Sequence, residues 1–216
     1  MSKVTENFEL YLKATESAAI AAAKLRGNGD GKAADKVATE AMRKVLQNSE
    51  VHTRVVIGEG ERDDAPMLYI GEEMGNPESA LKIDIAVDPL ECTNHCAKDL
   101  PDALSVLAAA PRGALLNAPD TYMNKLCGSS KLIGHIALDN SVEDNLSLAA
   151  KALQKNISEL KIIVMDRESH IDLISNLKDL GVQPILIGDG DVSGGLKAAD
   201  GSADLLYVIG AAPEGV

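Results

Sequence analysis

Apolar residues in the first quarter of the chain recur at helical spacing. Residues 7–26 carry small and apolar side chains on one face of a predicted helix, namely Leu10, Ala14, Ser17, Ala18, Ala21 and Leu25. A glycine-rich link at 27–31 interrupts the pattern, and a second helix is predicted from Ala33 to Gln47. The alanine-rich first helix suits close helix packing, either within the chain or between subunits.

Short β-branched runs follow and predict strands. The predicted strands are Arg54–Gly58, Lys82–Asp88, Leu104–Ala109 and Gly113–Leu116. In the second of these, Ile83, Ile85 and Val87 alternate with polar or small residues, so they share one face of the strand. Pro89 is expected to end this strand, because proline donates no hydrogen bond to a sheet.

The pattern changes near residue 141, where helical and strand-like segments begin to alternate. The predicted helices are Val142–Lys155, Ser169–Leu180 and Val192–Ala199; the predicted strands are Lys161–Met165, Gln183–Ile187 and Asp204–Ile209. Alternation with short links is typical of a parallel sheet in an α/β protein. We therefore predict two lobes, 1–140 and 141–216, the first binding metal and phosphate and the second binding sugar.

Composition narrows the classes of partner. The 216 residues carry a formal net charge of -12, which disfavours binding to nucleic acid or to an anionic membrane. No apolar run is long enough to span a bilayer, and the first ten residues lack the apolar core of a signal peptide. The three cysteines are an odd number, which indicates a reducing compartment. A cytoplasmic location is therefore expected.

Carboxylates recur where the predicted helices and strands begin or end. They are Asp35, Glu59, Glu61, Asp88, Glu91, Asp189, Asp191 and Glu214. Ligands of α/β proteins bind at strand ends, and oxygen ligands from several loops suit Mg²⁺ or Mn²⁺. Such a cluster, with its ions, would admit a phosphate despite the negative charge of the chain.

Each group of acids also has a plainer interpretation. Glu59 and Glu61 can be solvated turn acids, and Asp35 can be an acid favoured by a helix N-terminus. Asp189 and Asp191 flank a glycine and can be turn and N-cap residues. Only the coincidence of all these acids at element ends favours the metal interpretation.

Two further segments have alternative interpretations. Cys92, His95 and Cys96 lie within five residues and suggest a soft-metal site, but a closed zinc site needs four ligands and a fourth is not evident. The alternative is ordinary small, buried cysteines. The segment 27–32 is glycine-rich but lacks the spacing and the Ser or Thr of a phosphate-binding P-loop, so it is interpreted as a helix link.

The most specific stretch is DPLECT at 88–93. A predicted strand delivers Asp88, the proline turns the chain, and Glu91 can then face back toward Asp88. Thr93 stands where a helix or loop would begin and would offer backbone amides to a phosphate.

The order D-P-x-[DE]-x-T after a strand resembles the metal motif of the lithium-sensitive, magnesium-dependent phosphatases. Further segments are similar, in the same order, to class II fructose-1,6-bisphosphatases: IGEGE, DDAPMLYIGE, IDIAVDPLE, NAPDTYMNKL, DGDV and APEGV. The similarity runs from Thr15 to the last residue. It implies a layered α-β-α-β-α sugar-phosphatase fold, Mg²⁺ or Mn²⁺ as cofactor, and a homodimer or homotetramer.

The resemblance also implies a reaction and roles for individual residues. The reaction is hydrolysis of the 1-phosphate of fructose 1,6-bisphosphate, with sedoheptulose 1,7-bisphosphate as a second substrate, in gluconeogenesis or a Calvin-type cycle. The implied metal ligands are Asp35, Glu59, Asp88 and Glu214, and the implied catalytic residues are Thr93, Glu61 and Glu91. The implied substrate-binding residues are Glu91, Cys92, Thr93, Tyr122, Arg167, Ser169, Asp189, Gly190, Asp191 and Ala211.

Several positions depart from the family pattern. Cys92 stands where a glycine is usual between the acid and the threonine, Ser169 where an arginine is usual, and Ala211 where a glycine is common. Family members also continue beyond the segment that APEGV matches, which implies either a fragment or a natural short relative. The alternative function is therefore a catalytically impaired, truncated paralogue that binds a phosphosugar or another subunit. The retained acids and Thr93 oppose this alternative.

Overall fold

The computed structural model describes residues 5–60, 67–119 and 121–216, and the chain forms two compact units. The first unit runs to Pro119 and the second runs from Asp120 to Gly215. Each has its own sheet, helices and core, so the α/β class is confirmed. Within the described residues, no helix is both long and apolar enough to cross a membrane.

The first unit contains a mixed four-stranded sheet in the order β2-β1-β3-β4. Strands β1 and β3 are parallel, whereas β2 and β4 run antiparallel to their neighbours. Its elements are α1 (Phe8–Ala23), α2 (Gly31–Gln47), β1 (His52–Ile57), β2 (Glu73–Met74), β3 (Lys82–Glu91), α3 (Thr93–Ala97) and β4 (Leu104–Pro111), with a short 3-10 helix at Thr5–Asn7.

Helices α1 and α2 pack against each other and against the sheet. Ala14, Ala18 and Ala22 of α1 are buried together with Ala34 and Ala38 of α2. Residues four apart lie on one side of a helix, and side chains as small as alanine let two helices approach closely. The packing partner predicted for the first helix is therefore found within the chain.

The apolar side chains of β3 share one face of the strand, as predicted. Ile83, Ile85 and Val87 are buried in the core shared with α1 and α2. The prediction that Pro89 ends the strand is wrong, because β3 continues to Glu91. The pairing with β4 shifts register between Asp88 and Glu91, and this irregularity accommodates the proline.

Asp84, on the opposite face of β3, is the centre of a buried ion-pair network. Its carboxylate accepts two hydrogen bonds from Arg54, at 3.0 and 2.9 Å, and Arg112 Nε lies 3.0 Å from Oδ1. The Gly113 N–H also donates to Asp84, at 2.6 Å, from a turn in which Gly113 has φ +84°. The strand predicted at Gly113–Leu116 is therefore wrong, because this turn ends β4 at Pro111.

The second unit contains a four-stranded sheet in the order β5-β8-β6-β7. Its elements are β5 (Tyr122–Gly128), α4 (Val142–Leu153), β6 (Ile162–Met165), α5 (Ile171–Asp179), β7 (Ile185–Ile187), α6 (Asp191–Asp200) and β8 (Leu205–Ala211). Short 3-10 helices occur at Ser130–Leu132, Ile157–Glu159, Glu168–His170 and Ala212–Gly215.

Strand β6 is buried on both faces. Ile162 and Val164 enter the core formed with α4 and α5, while Ile163 and Met165 enter a second core with Ala198 of α6. Continuous apolar strands of this kind are typical of parallel sheets covered by helices. The predicted parallel arrangement is confirmed for β6, β7 and β8.

Strand β5 was not predicted, and it changes the boundary between the units. It pairs antiparallel with β8 along its whole length, from Tyr122 opposite Ala211 to Gly128 opposite Leu205. Because β5 belongs to the second sheet, the second unit begins at Asp120 rather than at the predicted residue 141.

Candidate active site

Three carboxylates of the first unit influence one another electrostatically. Asp35 lies on α2, Glu59 follows β1, and Asp88 lies on β3. Burial, together with the charges of Asp35 and Asp88, raises the pKa of Glu59 to about 8. Burial and the Asp88 charge also raise the pKa of Asp35. Among the described residues, the charges that act on Glu59 are therefore those of other acids, which is the condition that a bound cation relieves.

Asp35 does not behave as an acid that merely favours a helix N-terminus. Helix α2 begins at Gly31, and Asp30 is its N-cap, accepting a hydrogen bond from the Ala33 N–H at 3.0 Å. Asp35 lies beyond the first turn of α2, where the effect of the helix dipole falls off, and burial together with the Asp88 charge raises its pKa. This position and this shift favour membership of the carboxylate cluster.

The backbone around Glu59 is fixed by hydrogen bonds to the segment that follows. The Glu59 N–H donates to the Leu68 carbonyl at 3.0 Å, and the Ile70 N–H donates to the Gly60 carbonyl at 2.9 Å. Any side chain at Gly58 would overlap the Leu68 carbonyl oxygen, and Gly60 has φ +126°. Glu59 is thus half-buried with its backbone held by these bonds, and it is not a solvated turn acid. Glu61 lies outside the described residues.

The DPLECT segment places its last residues against α2. Asp88 Oδ1 accepts a hydrogen bond from the Leu90 N–H at 3.1 Å, and Glu91 and Cys92 are buried. Helix α3 begins at Thr93. A Cβ added to Gly31, the first residue of α2, would lie only 3.5 Å from the Thr93 Cβ. The first turn of α2, which leads to Asp35, therefore contacts Thr93.

Cys92 has the backbone conformation that a glycine would favour. Its φ of +65° and ψ of +55° are left-handed, and its side chain is 5% exposed, with Sγ 3.6 Å from Glu91 Oε1. The chain thus keeps the turn into α3 despite the cysteine, at the conformational cost that a Cβ incurs there.

We expect Cys92→Gly to stabilise the chain by about 1 kcal/mol, because glycine adopts a left-handed conformation without the Cβ penalty. The free energy of unfolding from denaturant titration measures this effect. Gly190, which is already a glycine with φ +91°, provides the opposite control: Gly190→Ala should destabilise by a similar amount. A Cys92→Gly variant less stable than the parent would show that the buried thiol contributes more than the backbone conformation costs.

The cysteine-rich alternative is not supported by the geometry. Among the side chains of residues 5–60, 67–119 and 121–216, no three His, Cys, Asp or Glu form a group able to hold a metal ion by themselves, and this includes Asp35, Glu59 and Asp88. His95 Nδ1 contacts the Pro101 carbonyl at 2.8 Å, and the Cys96 thiol points to the Ala22 carbonyl at 3.7 Å. The link at 27–31 is bonded to the α3 backbone through Gly27 and Gly29, as a helix link rather than a phosphate loop.

The second unit joins two of the predicted site residues through a lysine. Lys125 of β5 lies 2.6 Å from Asp191 Oδ2 and 2.9 Å from Glu214 Oε2. Burial and a hydrogen bond with Asp191 raise the pKa of Glu214. A Cβ at Gly210 would overlap the Asp191 carboxylate, so this glycine makes room for the ion pair. The N-cap of α6 is Gly190, and the Asp191 side chain serves Lys125 instead.

The remaining predicted substrate residues lie at the ends of β5, β6, β7 and β8. Arg167 is 3.5 Å from Asp189 Oδ1, and that aspartate also accepts the Gly190 N–H at 3.1 Å. Ser169 Oγ is 2.9 Å from Nδ1 of the buried His170, whose Nε2 accepts the Ile209 N–H. Tyr122 is 74% exposed and pairs with Ala211 across the two strands.

Lys125 is the residue that sequence reasoning missed. It lies within NAPDTYMNKL, but its role depends on β5 pairing with a strand about eighty residues later. Tyr122–Gly128 shows no strict alternation of apolar and polar residues, so the only signal there was the lysine itself, which lies between Met123 and Cys127 at every second position. A lone lysine on a strand face that is otherwise apolar implies a carboxylate partner.

Comparisons with known proteins show similarity to one family over nearly the whole chain. The sequence profile of the family described as bacterial fructose-1,6-bisphosphatase, glpX-encoded, matches residues 6–216. A protein of Synechococcus sp. (strain JA-3-3Ab), named D-fructose 1,6-bisphosphatase class 2/sedoheptulose 1,7-bisphosphatase, is 46% identical over 218 residues, which cover 95% of this chain and 63% of that protein. A protein of the same name from Thermosynechococcus vestitus is 45% identical with the same coverage. This chain belongs to the bacterial, glpX-encoded fructose-1,6-bisphosphatase family.

Proposed function

We propose that the chain hydrolyses the 1-phosphate of fructose 1,6-bisphosphate, giving fructose 6-phosphate and inorganic phosphate, as a metal-dependent cytoplasmic enzyme of sugar metabolism. The observation that carries this proposal is the cluster of Asp35, Glu59 and Asp88, in which the pKa of Glu59 rises to about 8. Family membership and the relatives' names supply the substrate class, including sedoheptulose 1,7-bisphosphate. We also propose a homodimer or homotetramer, which light scattering would test.

The donor set fits a hard divalent cation. Asp35, Glu59 and Asp88 of the first unit, which we assign to the ion, offer only oxygen, as Mg²⁺ and Mn²⁺ prefer. Glu214, which the family resemblance adds to the ligands, lies in the second unit and pairs there with Lys125. Mg²⁺ is commonly bound by one or two carboxylates together with waters and substrate phosphates, so a complete protein cage is not required. When bound, the ion would supply charge neutralisation and polarisation of the phosphoryl oxygens.

The chain's own residues would then orient the reactants. Thr93, with Glu91 or Glu61, positions a water molecule and takes its proton as the water oxygen bonds to phosphorus. The bond from phosphorus to the sugar oxygen breaks, and that oxygen recovers a proton. Tyr122, Arg167 and the 189–191 loop would hold the sugar and its second phosphate, with Ser169 and Ala211 beside them.

The direct test is phosphate release from fructose 1,6-bisphosphate by the purified chain with Mn²⁺ or Mg²⁺. Identification of the sugar product distinguishes removal of the 1-phosphate from removal of the 6-phosphate. Sedoheptulose 1,7-bisphosphate is assayed in parallel. We expect activity with added ion and none with chelator, and a chain that is folded yet inactive with both ions would contradict the proposal.

The alternative is a chain that binds a phosphosugar without hydrolysing it. Ser169, which stands where the family pattern has an arginine, hydrogen-bonds to His170 and supplies no charge to a phosphate. The chain also spans 63% of the length of the curated relatives it matches. Calorimetric binding of fructose 1,6-bisphosphate without phosphate release would favour this second function.

A pH-dependent stability follows from the raised pKa of Glu59. Its folded value is about 8 against an ordinary value of 4.5, so the stability that comes from its protonation is fully present below pH 4.5. That stability is lost as pH rises through 8. Without metal, the free energy of unfolding should therefore fall by on the order of 3 kcal/mol between pH 5 and 8 relative to Glu59→Gln.

Divalent ions should reverse this loss, because binding requires the ionised carboxylates. Mn²⁺ at saturating concentration should raise the melting temperature more at pH 8 than at pH 5.5. Denaturant and thermal unfolding of the parent chain and Glu59→Gln, each with chelator and with Mn²⁺, measure both effects. Equal stabilisation by Mn²⁺ at the two pH values would argue against these ligands.

A further inference from the structure

Glu72, which lies directly before β2, carries a buried carboxylate in the segment that follows the loop containing Glu59. We propose that Glu72 is a positioning residue that, together with Arg43 and Leu68, fixes the Glu59 backbone relative to α2. The inference rests on the proposed function for the importance of Glu59. Its structural content concerns only contacts within the first unit.

Both oxygens of Glu72 accept hydrogen bonds from groups on different parts of the chain. Arg43 Nε, on α2, donates to Oε1 at 2.7 Å, and the backbone N–H of Leu68 donates to Oε2. The Glu72 side chain is only 5% exposed, so these partners replace water rather than compete with it. The Glu72 carbonyl also accepts the Val55 N–H at 2.9 Å, which attaches the residue to β1.

Leu68 is the residue through which Glu72 reaches Glu59. It is fully buried and has φ +52°, a left-handed conformation that is unfavourable for leucine and needs support from its surroundings. Its N–H is held by Glu72, and its carbonyl accepts the Glu59 N–H at 3.0 Å. Gly58 packs directly against the same carbonyl, so a shift of Leu68 would move the backbone that carries Glu59.

Helix α2 therefore sets the positions of two acids of the cluster. Asp35 is one of its own residues, and Arg43 on the same helix connects to Glu59 through Glu72 and Leu68. The two acids come close enough for the Asp35 charge to act on Glu59. Replacement of a residue that orients a metal ligand in this way typically weakens metal affinity by about 10- to 100-fold.

The next residue, Glu73, provides a matched control. It also pairs with an arginine, Arg112, at 3.2 Å, but its side chain is 52% exposed and bonds no backbone group in the described part of the loop that carries Glu59. Glu72→Gln and Glu73→Gln make the same chemical change at adjacent positions. Glutamine replaces one of the two acceptor oxygens by an NH2 donor, so at position 72 either Arg43 Nε or the Leu68 N–H would face a donor instead of an acceptor.

The experiment measures amide hydrogen exchange of Glu59 and Mn²⁺ affinity in the two variants and the parent chain. We expect Glu72→Gln to speed exchange of the Glu59 N–H and to weaken Mn²⁺ binding, each by about tenfold. Glu73→Gln should leave both values within about twofold of the parent. Melting curves establish the temperature at which all three chains are folded, and the measurements are made below it.

Two results would overturn the inference. One is a Glu59 amide that stays as protected in Glu72→Gln as in the parent, and the other is faster exchange with unchanged Mn²⁺ affinity. Glu72→Asp, which keeps two acceptor oxygens, should restore part of the protection if both bonds matter. Amide exchange needs no catalytic activity, so its outcome is separate from the Glu59→Gln assay that tests the proposed function.

Discussion

Replacement of Glu59 by Gln is expected to reduce the proposed phosphatase activity roughly a thousandfold while the chain stays folded. Glutamine has the same shape but lacks the negative charge that a divalent ion and its phosphate require. The burial and neighbouring acids that raise the pKa of Glu59 show that the fold gains nothing from its ionised form. The loss should therefore appear in kcat/KM rather than in folding.

The same substitution should stabilise the metal-free chain at pH 8, because it removes a repelled charge. Phosphate release with saturating Mn²⁺ and denaturant unfolding with chelator measure the two effects. Glu78→Gln is the matched control, since Glu78 is exposed and lies away from the cluster in sequence. A kcat/KM for Glu59→Gln equal to that of the parent chain would show that Glu59 is not part of the site.

Replacement of Asp84 by Ala is expected to destabilise the chain by about 3–5 kcal/mol. The Asp84 carboxylate is 1% exposed and receives hydrogen bonds from Arg54 and from the Gly113 N–H, with Arg112 beside it. Burial opposes its ionisation, but the Arg54 hydrogen bond and the Gly113 N–H outweigh burial and lower its pKa. Alanine would leave Arg54 against the sheet without its acceptor, and Gly113 without the bond that anchors its turn.

The sign of the pH dependence follows from the lowered pKa of Asp84. Its stabilising contribution is present above the unfolded pKa and is lost as pH falls through the folded value.

Arg26→Ala is the control for Asp84→Ala, because the side chains of the Arg26–Asp99 pair are 65% and 58% exposed and the pair should contribute no more than about 1 kcal/mol. Denaturant unfolding at pH 7 compares the two variants, and a loss for Asp84→Ala as small as that for Arg26→Ala would contradict the network's role.

Much of the local structure was predictable because its causes are local. The side chain of Asp30 caps the N-terminus of α2, and the side chain of Ser141 caps that of α4. Both helices carry apolar residues at helical spacing. The alternation in β3 and the doubly buried β6 likewise depend on residues within a few positions. Glu59 and Asp88 became candidate ligands because acids recur at the ends of several predicted elements and because both lie in segments that resemble the family.

The sequence by itself determined the α/β class and the family, and it predicted a candidate site made of carboxylates. It did not determine β5, the continuation of β3 through Pro89 or the turn at Gly113, because each depends on a partner far along the chain. The tertiary structure alone decided that Lys125 joins Asp191 to Glu214 and that Arg43 reaches Glu59 through Glu72 and Leu68. Ion pairs, shifted pKa values and turns of these kinds arise from contacts between residues far apart in the chain, and periodicity and motif spacing do not encode such contacts.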